Sequence, residues 1–270
     1  MHVSLDSALG RQRRLNSVGE SVLQIAPSAA AAYSLRSLTG GDPDVVRVRI
    51  GGTTTEETFT ASGVSSGALV DFVGSGNDGF VTIWYDQSGN GNNAVQPTAS
   101  EQPKIVDSAT GALVPGGLLF SGGQTIDTTA TFSFASGSSV SLFGVNKATG
   151  SIGSYLVKVG TYIIWRLDGG TRRMSLGANA NAGSISGNEE LWVPIINVDS
   201  SGGTGNFFVD GTLASSADEG IGSSTVTNKV LKIGNSNWNG TANEIILYTS
   251  DQTANRPALE ANIMTNYGIS

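Results

Sequence analysis

The chain has 270 residues, enough for one large core, and Gly at 37 residues is about twice its usual share. Charged residues make up only 14% and the formal net charge is −7. With no long Lys/Arg run, no basic–aromatic stripe and no apolar run near the ~20 residues that span a bilayer, nucleic-acid binding and membrane insertion are not expected. There is no Cys, and the only His is His2. Disulfides, thiolate nucleophiles, Cys-based zinc sites, Ser-His-acid triads and multi-His metal sites are therefore excluded.

In chain order, residues 1–32 read as an arm, apolar at Leu5, Leu9, Leu15, Val18, Val22 and Ile25 but broken by Gly10, Gly19 and Pro27. Its start lacks the apolar core of a secretory signal. Arg11, Arg13, Arg14 and Leu15 are its candidate anchoring residues, and Ala29 to Ala32 favours helix. From residue 33 the chain reads as one globular domain to 270. Tyr33, Leu35 and Leu38 suggest a short helix. Val46, Val48 and Ile50 alternate with Arg47 and Arg49, the period of a half-buried strand. A helix over Gly67 to Val73 and a strand over Phe80 to Trp84 follow.

Further strands are expected at Val140–Val145, Tyr155–Val159, Tyr162–Leu167, Leu191–Val198, Asn206–Val209, Val230–Ile233 and Glu244–Tyr248. Asp168-Gly169-Gly170 and Asp210-Gly211 are the turn signals among them, the second that of a tight hairpin. At the end Asn255 is placed to cap, Pro257 stands in a first turn, and Leu259, Ile263 and Tyr267 share one face of a closing helix. The fold class is all-β: a two-sheet antiparallel jelly roll with short peripheral helices.

The loop in FVTIWYDQSGNGNNAVQ (Phe80 to Gln96) raises a metal reading. Asp86, Ser88, Asn90 and Asn92 offer oxygens at alternate positions, as in a calcium loop, but Pro97 stands where the twelfth-position acid belongs. Asp86, Ser88 and Asn90 are the metal candidates, with calcium the cation; no other cofactor is implied. The favoured reading is a turn, in which two glycines supply positive φ and Asp86 accepts backbone N–H groups.

AYSLRSL (32–38), VVRVR (45–49), LVDFVGSGNDGFVTIWYDQSGNGNNAVQ (69–96), QPKIV (102–106) and LKIGNSNWNGTANEIILYTSDQTANRPALEANIMTNYGI (231–269) come in a recognisable order. The set resembles the catalytic-domain family of fungal α-L-arabinofuranosidase B, a concanavalin A-like jelly roll, and the bacteriophage tail and virion proteins that carry this domain. The resemblance covers roughly residues 30 to 269 and is specific in the first third and the last forty residues. It implies a retaining carboxylate pair. The family's acid lies in a Gly-Gly-Asp-Asn turn, matched here by Ile233 to Asn237 with no carboxylate. Its nucleophile is a Glu in a mid-domain stretch, matched by Tyr155 to Asp168 with no Glu. The family's cysteines are missing too.

The expectation is therefore a non-enzymatic phage virion component, a tail fibre, tail tip or head-decoration protein. Its arm would join other virion proteins, and its outward lectin-like jelly roll would meet host polysaccharide. A symmetric oligomer, a trimer, goes with that resemblance. The alternative is an arabinofuranosidase-like glycoside hydrolase acting on cell-surface polysaccharide. Trp238, flanked by Asn235, Asn237 and Asn239, is the candidate glycan platform: a flat ring with amides for hydroxyls. Trp84, Trp165 and Trp192 read as core. Glu189 and Glu190 are adjacent, so on a strand they face opposite sides; Glu244 is expected to face the concave side with no evident mate.

Overall fold

A computed structural model of the chain describes residues 19–149, 154–160, 162–175, 179–217, 225–235 and 237–270. Helix α1 (Val22–Ile25) leads into β1 (Ala31–Ser34), and β2 (Asp44–Ile50) forms a hairpin with β3 (Glu56–Thr60). Helices α2 (Ala61–Ser65) and α3 (Ala68–Val73) precede β4 (Gly79–Trp84), β5 (Ala94–Val95), β6 (Lys104–Asp107), β7 (Ala112–Leu113) and β8 (Leu118–Ser121). Then come β9 (Ile126–Phe134), β10 (Ser139–Ala148), β11 (Ser154–Val159), β12 (Tyr162–Asp168), β13 (Thr171–Ser175) and β14 (Asn179–Ser184). The last strands are β15 (Glu190–Asn197), β16 (Thr204–Val209), β17 (Thr212–Ala217), β18 (Val226–Ile233) and β19 (Asn239–Tyr248), closed by helix α4 (Arg256–Tyr267).

Every pairing among the described residues is antiparallel, as expected for a jelly roll. One layer is built on β19, with β10, β15, β16 and β17 on one side of it and β1 and β8 on the other. The facing layer runs β3, β2, β4, β5, β9, β18, β11, β12, β13, β14. β6 pairs with both β4 and β8 and ties the layers at one side.

The inward residues of both layers form the main core, in which Trp84, Trp165, Trp192 and Trp238 are all fully buried. Trp192 is its centre: Trp165 lies 5.9 Å away, Phe207 6.0 Å and Trp238 6.5 Å, all edge-on, the arrangement the ring quadrupole favours. Gly144 on β10 is where Trp165 rests; a Cβ there would overlap the indole and come 2.7 Å from the Glu244 carbonyl oxygen.

A second cluster lies on the outer face of the β19 layer. Phe143, Val145, Leu191, Val193 and Ile246 point outward there and are covered by Leu259 and Ile263 of α4 and by Val22 and Ala26. That layer is apolar on both faces, which explains its near-continuous hydrophobic sequence. The closing helix thus lies across the sheet as expected, with Pro257 in its first turn, although Asn255 makes no side-chain cap and instead donates to Gln252.

Two expectations at the start of the domain are corrected. Ala31–Ser34 is a strand paired with Ile245 and its neighbours on β19, not a helix, because all four residues are buried between two layers of contact. The boundary at 32/33 falls inside that strand, since Val22, Ala26 and Ala29 are already buried against the body. Arg11, Arg13, Arg14 and Leu15 lie outside the described residues. The Asp210-Gly211 hairpin is as expected, with φ of 49° and 76° at the two turn residues.

Candidate functional site

The Asp86 loop is a structural clasp. Asp86 Oδ1 accepts from Ala32 N (2.8 Å) and Ser88 N (2.9 Å), while Oδ2 accepts from Ser88 Oγ (2.7 Å) and Asn92 N (2.9 Å). The Asn90 and Asn92 amides donate to the carbonyls of Ala29 and Ala30 at 2.9 and 2.7 Å, and Tyr33 Oη donates to the Asn92 carbonyl. Gly89 and Gly91 take the positive φ that the reversal needs. Asp86 therefore spends its oxygens on Ala32 of β1 and on the loop's own backbone, Ser88 bonds Asp86 and Asn90 within the loop, and the Asn90 amide points its N–H at backbone rather than its oxygen at a cation. Asp86→Ala would strand three backbone N–H groups and is expected to cost about 3 kcal/mol. A chelator is expected to leave Tm unchanged; thermal melts of both check this, and a chelator-induced drop would restore the calcium reading.

The Trp238 platform is corrected. Trp238 is 0% exposed, its ring edge-on to Trp192 beneath the sheet, so no sugar face can reach it. Asn235 is buried too, accepting from Asn237 N at 3.2 Å, while Asn237 is exposed and Asn239 half-buried. Gly234 in the same turn packs so closely that a Cβ would stand 2.5 Å from Phe120. The turn holds no carboxylate.

The acids on β15 and β19 separate by face. Glu190 points inward and is bound by Arg172 through both oxygens (2.8 and 2.5 Å), by Trp192 Nε1 (2.7 Å) and by Ser186 N (2.8 Å). Glu189 points the other way, half-buried, and accepts from the Asn243 amide. Glu244 is fully buried and faces outward, not toward the inner face, and it has a mate: Arg36 Nε at 2.8 Å and a second guanidinium nitrogen at 3.0 Å. Tyr267 Oη also donates to it at 3.1 Å, and Arg36 is steadied by Asn262. Burial, then the Glu244 charge, pushes the Tyr267 phenol well above its ordinary range.

A register shift explains this placement. Opposite Val145 and Asn146 of β10, strand β19 carries Asn243 as an extra residue. Such a bulge re-aims side chains, and here it sends Asn243 to Glu189 and Glu244 to Arg36. Both neighbours belong to a cleft of about 770 Å³ whose lining includes Arg36, Asp42, Ser62, Glu189, Asn243 and Tyr267. One rim is Gly116-Gly117, with φ of 90° and 88°. A Cβ at Gly116 would stand 2.5 Å from Thr241 Oγ1, and one at Gly117 2.5 Å from the Ala242 carbonyl oxygen, so only glycine lets this rim lie on β19. Asp42 accepts from Ser62 N (2.8 Å) and Ser62 Oγ (2.6 Å), and these hydrogen bonds hold its carboxyl below the usual range.

The cleft therefore contains two carboxylates, Asp42 and Glu189, together with amide and phenol groups and an apolar wall that includes Leu35, Val64 and Leu113. Mostly apolar concavities with a few convergent polar groups are the usual form of a ligand site. Among the metal and glycan candidates read from sequence, Asn239 lines a neighbouring smaller depression and none lines this cleft, whereas Glu189, weighed there as an acid, does.

No family model matches the chain, and no curated protein matches it in sequence. Solved structures do share its fold. A GH54 α-L-arabinofuranosidase soaked with a cyclic sulfate inhibitor superposes with a TM-score of 0.63 at 14% identity, over 90% of this chain and 64% of that one. An arabinofuranosidase complexed with arabinofuranosyl-α-1,2-xylobiose superposes with a TM-score of 0.59 at 15% identity, over 87% of this chain and 62% of that one. The chain thus spans less than two thirds of the length of these enzymes. At such identities the likeness shows the β-sandwich fold that the family resemblance implied. It also overturns the reading as a non-enzymatic virion component: the proteins found to share the fold are glycoside hydrolases, and the comparisons give no support to a phage origin.

Proposed function

We propose that the chain is a glycoside hydrolase of the arabinofuranosidase type, taking a sugar residue into the Asp42–Glu189 cleft. The observation that carries this reading is the presence of both carboxylates in one sugar-sized concavity, on a fold shared with two arabinofuranosidases. Glycoside cleavage needs two such groups, one to protonate the leaving oxygen and one to act as base or nucleophile. Asp42, which Ser62 keeps ionised, suits the second role; Glu189 is then the acid.

The pair would be this chain's own, because the turn that matches the family's acid holds Asn235 instead. Around the acid, Asn243 fixes Glu189, and the Arg36–Glu244–Tyr267 network makes a rigid wall beside it. The test is release of chromophore from aryl α-L-arabinofuranosides, with arabinan and arabinoxylan as polymeric substrates. Turnover that vanishes with either carboxylate supports the reading. Absence of both turnover and glycan binding rejects it.

A further inference from the structure

At about 770 Å³ the cleft is of the size that holds a drug-sized ligand, and a single pentose leaves part of it empty. What fills the remainder depends on which wall groups are free. Ser62 is taken up by Asp42, and Ser65 Oγ donates to the Ser62 carbonyl at 3.2 Å. Ser37 Oγ accepts from Thr39 N and Gly40 N at 3.3 and 3.2 Å. Arg36 holds Glu244 and Asn262, and Asn243 donates to Glu189. Tyr267 Oη is shared between Glu244 and Ser34. Beside the two proposed acids, the polar side chains of the wall are thus engaged with one another, apart from Asn266 at the exposed edge.

The rest of the wall is apolar. Leu35, Ala61 and Leu113 are half-buried, each packed against the main core while lining the cleft. They come from the β1–β2 connection, the start of α2 and β7, and the core beneath fixes them before any ligand arrives. The only ring among the lining residues is Tyr267, and Arg36 lies over it, 5.8 Å from its centre. A second sugar unit would meet neither an open stacking ring nor a row of unengaged donors. Its hydroxyls would give up water without replacement, which costs free energy. An apolar group has no such loss and gains by covering the wall.

We propose that the leaving-group side of this cleft takes an apolar aglycone, so that the substrate joins arabinofuranose to an apolar alcohol or phenol rather than to a further sugar. The inference rests on the glycosidase reading of the cleft and deepens it. The sugar lies at Asp42 and Glu189, and the aglycone lies on Leu35, Ala61 and Leu113. On cleavage the C1–O bond breaks and the aglycone oxygen takes the Glu189 proton. Water then supplies the hydroxyl at C1 and the proton that restores Glu189. Each methylene covered by such a wall is worth about two- to fourfold in affinity, the upper figure applying to complete burial.

The experiment measures kcat/KM of the full chain on ethyl, butyl and hexyl α-L-arabinofuranosides below micelle formation, and on arabino-oligosaccharides of increasing length. From ethanol onward, primary alcohols differ little as leaving groups, so the alkyl series varies contact and not chemistry. The value of kcat/KM is expected to rise about two- to fourfold per added methylene and to stay level with oligosaccharide length. Leu113→Ser and Leu35→Ser should each reduce the rise. Because the rise is a ratio taken within one protein, partial unfolding of a variant does not alter it. A flat alkyl series in the unaltered chain, or a rise that survives both variants, overturns the aglycone site and, with turnover present, leaves the cleft reading standing. A gain with oligosaccharide length alone does the same. Failure of every glycoside to bind or turn over overturns both.

Discussion

Glu189→Gln is expected to lower turnover of an aryl α-L-arabinofuranoside by about 10²- to 10⁴-fold, the usual weight of a positioned acid or base. The substitution keeps the side chain's volume and its contact with Asn243 and removes only its capacity for acid–base exchange. Oligosaccharide affinity should stay near that of the unaltered chain, and Tm should move little. A loss of binding and folding in parallel would mean that Glu189 is a structural prop. Asp42→Asn is expected to be as damaging for a different reason. Its carboxyl is held below the ordinary value by hydrogen bonds from Ser62, so it keeps its charge to a lower pH than a free aspartate does. The acid limb of the pH–rate profile should therefore lie at lower pH than an unperturbed aspartate would give, and Ser62→Ala, which removes one of those hydrogen bonds, should move it up. Product stereochemistry reads the spacing of the pair: retention needs ~5–5.5 Å and inversion ~6.5–9.5 Å. Unchanged turnover in both variants would remove the proposed chemistry from this cleft.

Much of the sandwich was legible because its signals are local. Alternation at Val46, Arg47, Val48 and Arg49 reads as a strand within five residues, and Asp210-Gly211 carries its own turn geometry. The N-terminal strand was not legible, because Ala31–Ser34 is buried by β19, more than two hundred positions away. Trp238 misled for the same reason: three asparagines around it look like surface, but Trp192 sets its burial from another strand. At the cleft, sequence placed Glu189 and Glu190 on opposite faces correctly. It did not say which face was concave, nor that Glu190 would be claimed by Arg172. The bulge at Asn243 exists only through its pairing with β10. The signals that could have found the site were Pro115-Gly116-Gly117, a tight rim, and the adjacent amide and acid of Asn243-Glu244. Asp42 needed Ser62, twenty residues on, to become a fixed carboxylate.

Arg172→Met is expected to destabilise the fold by about 3–5 kcal/mol, read by urea unfolding at neutral pH. Glu190 is 3% exposed and Arg172 8%, so removing the guanidinium leaves a carboxylate in the sandwich with no counter-ion. Exposed pairs elsewhere on the chain contribute little in comparison. The pair also holds the core, since Glu190 receives Trp192 Nε1 and Trp192 is the ring that three other aromatics pack against. The pH dependence separates this account from simple loss of packing. Burial pushes the Glu190 carboxyl up, but hydrogen bonds from Arg172, Ser186 and Trp192 outweigh it and leave the group below its ordinary range. A depressed folded value contributes stability that is present above the unfolded value and is lost as pH falls through the folded one. The unaltered chain should therefore keep this contribution until strongly acid pH. In Arg172→Met, burial prevails, Glu190 takes up its proton more readily, and the deficit against the unaltered chain should shrink as the pH is lowered. Arg172→Met with Glu190→Gln should recover part of the loss at neutral pH, because no charge is left in the interior. A single-variant deficit that is independent of pH, and is not relieved in the double variant, would show that packing alone explains Arg172.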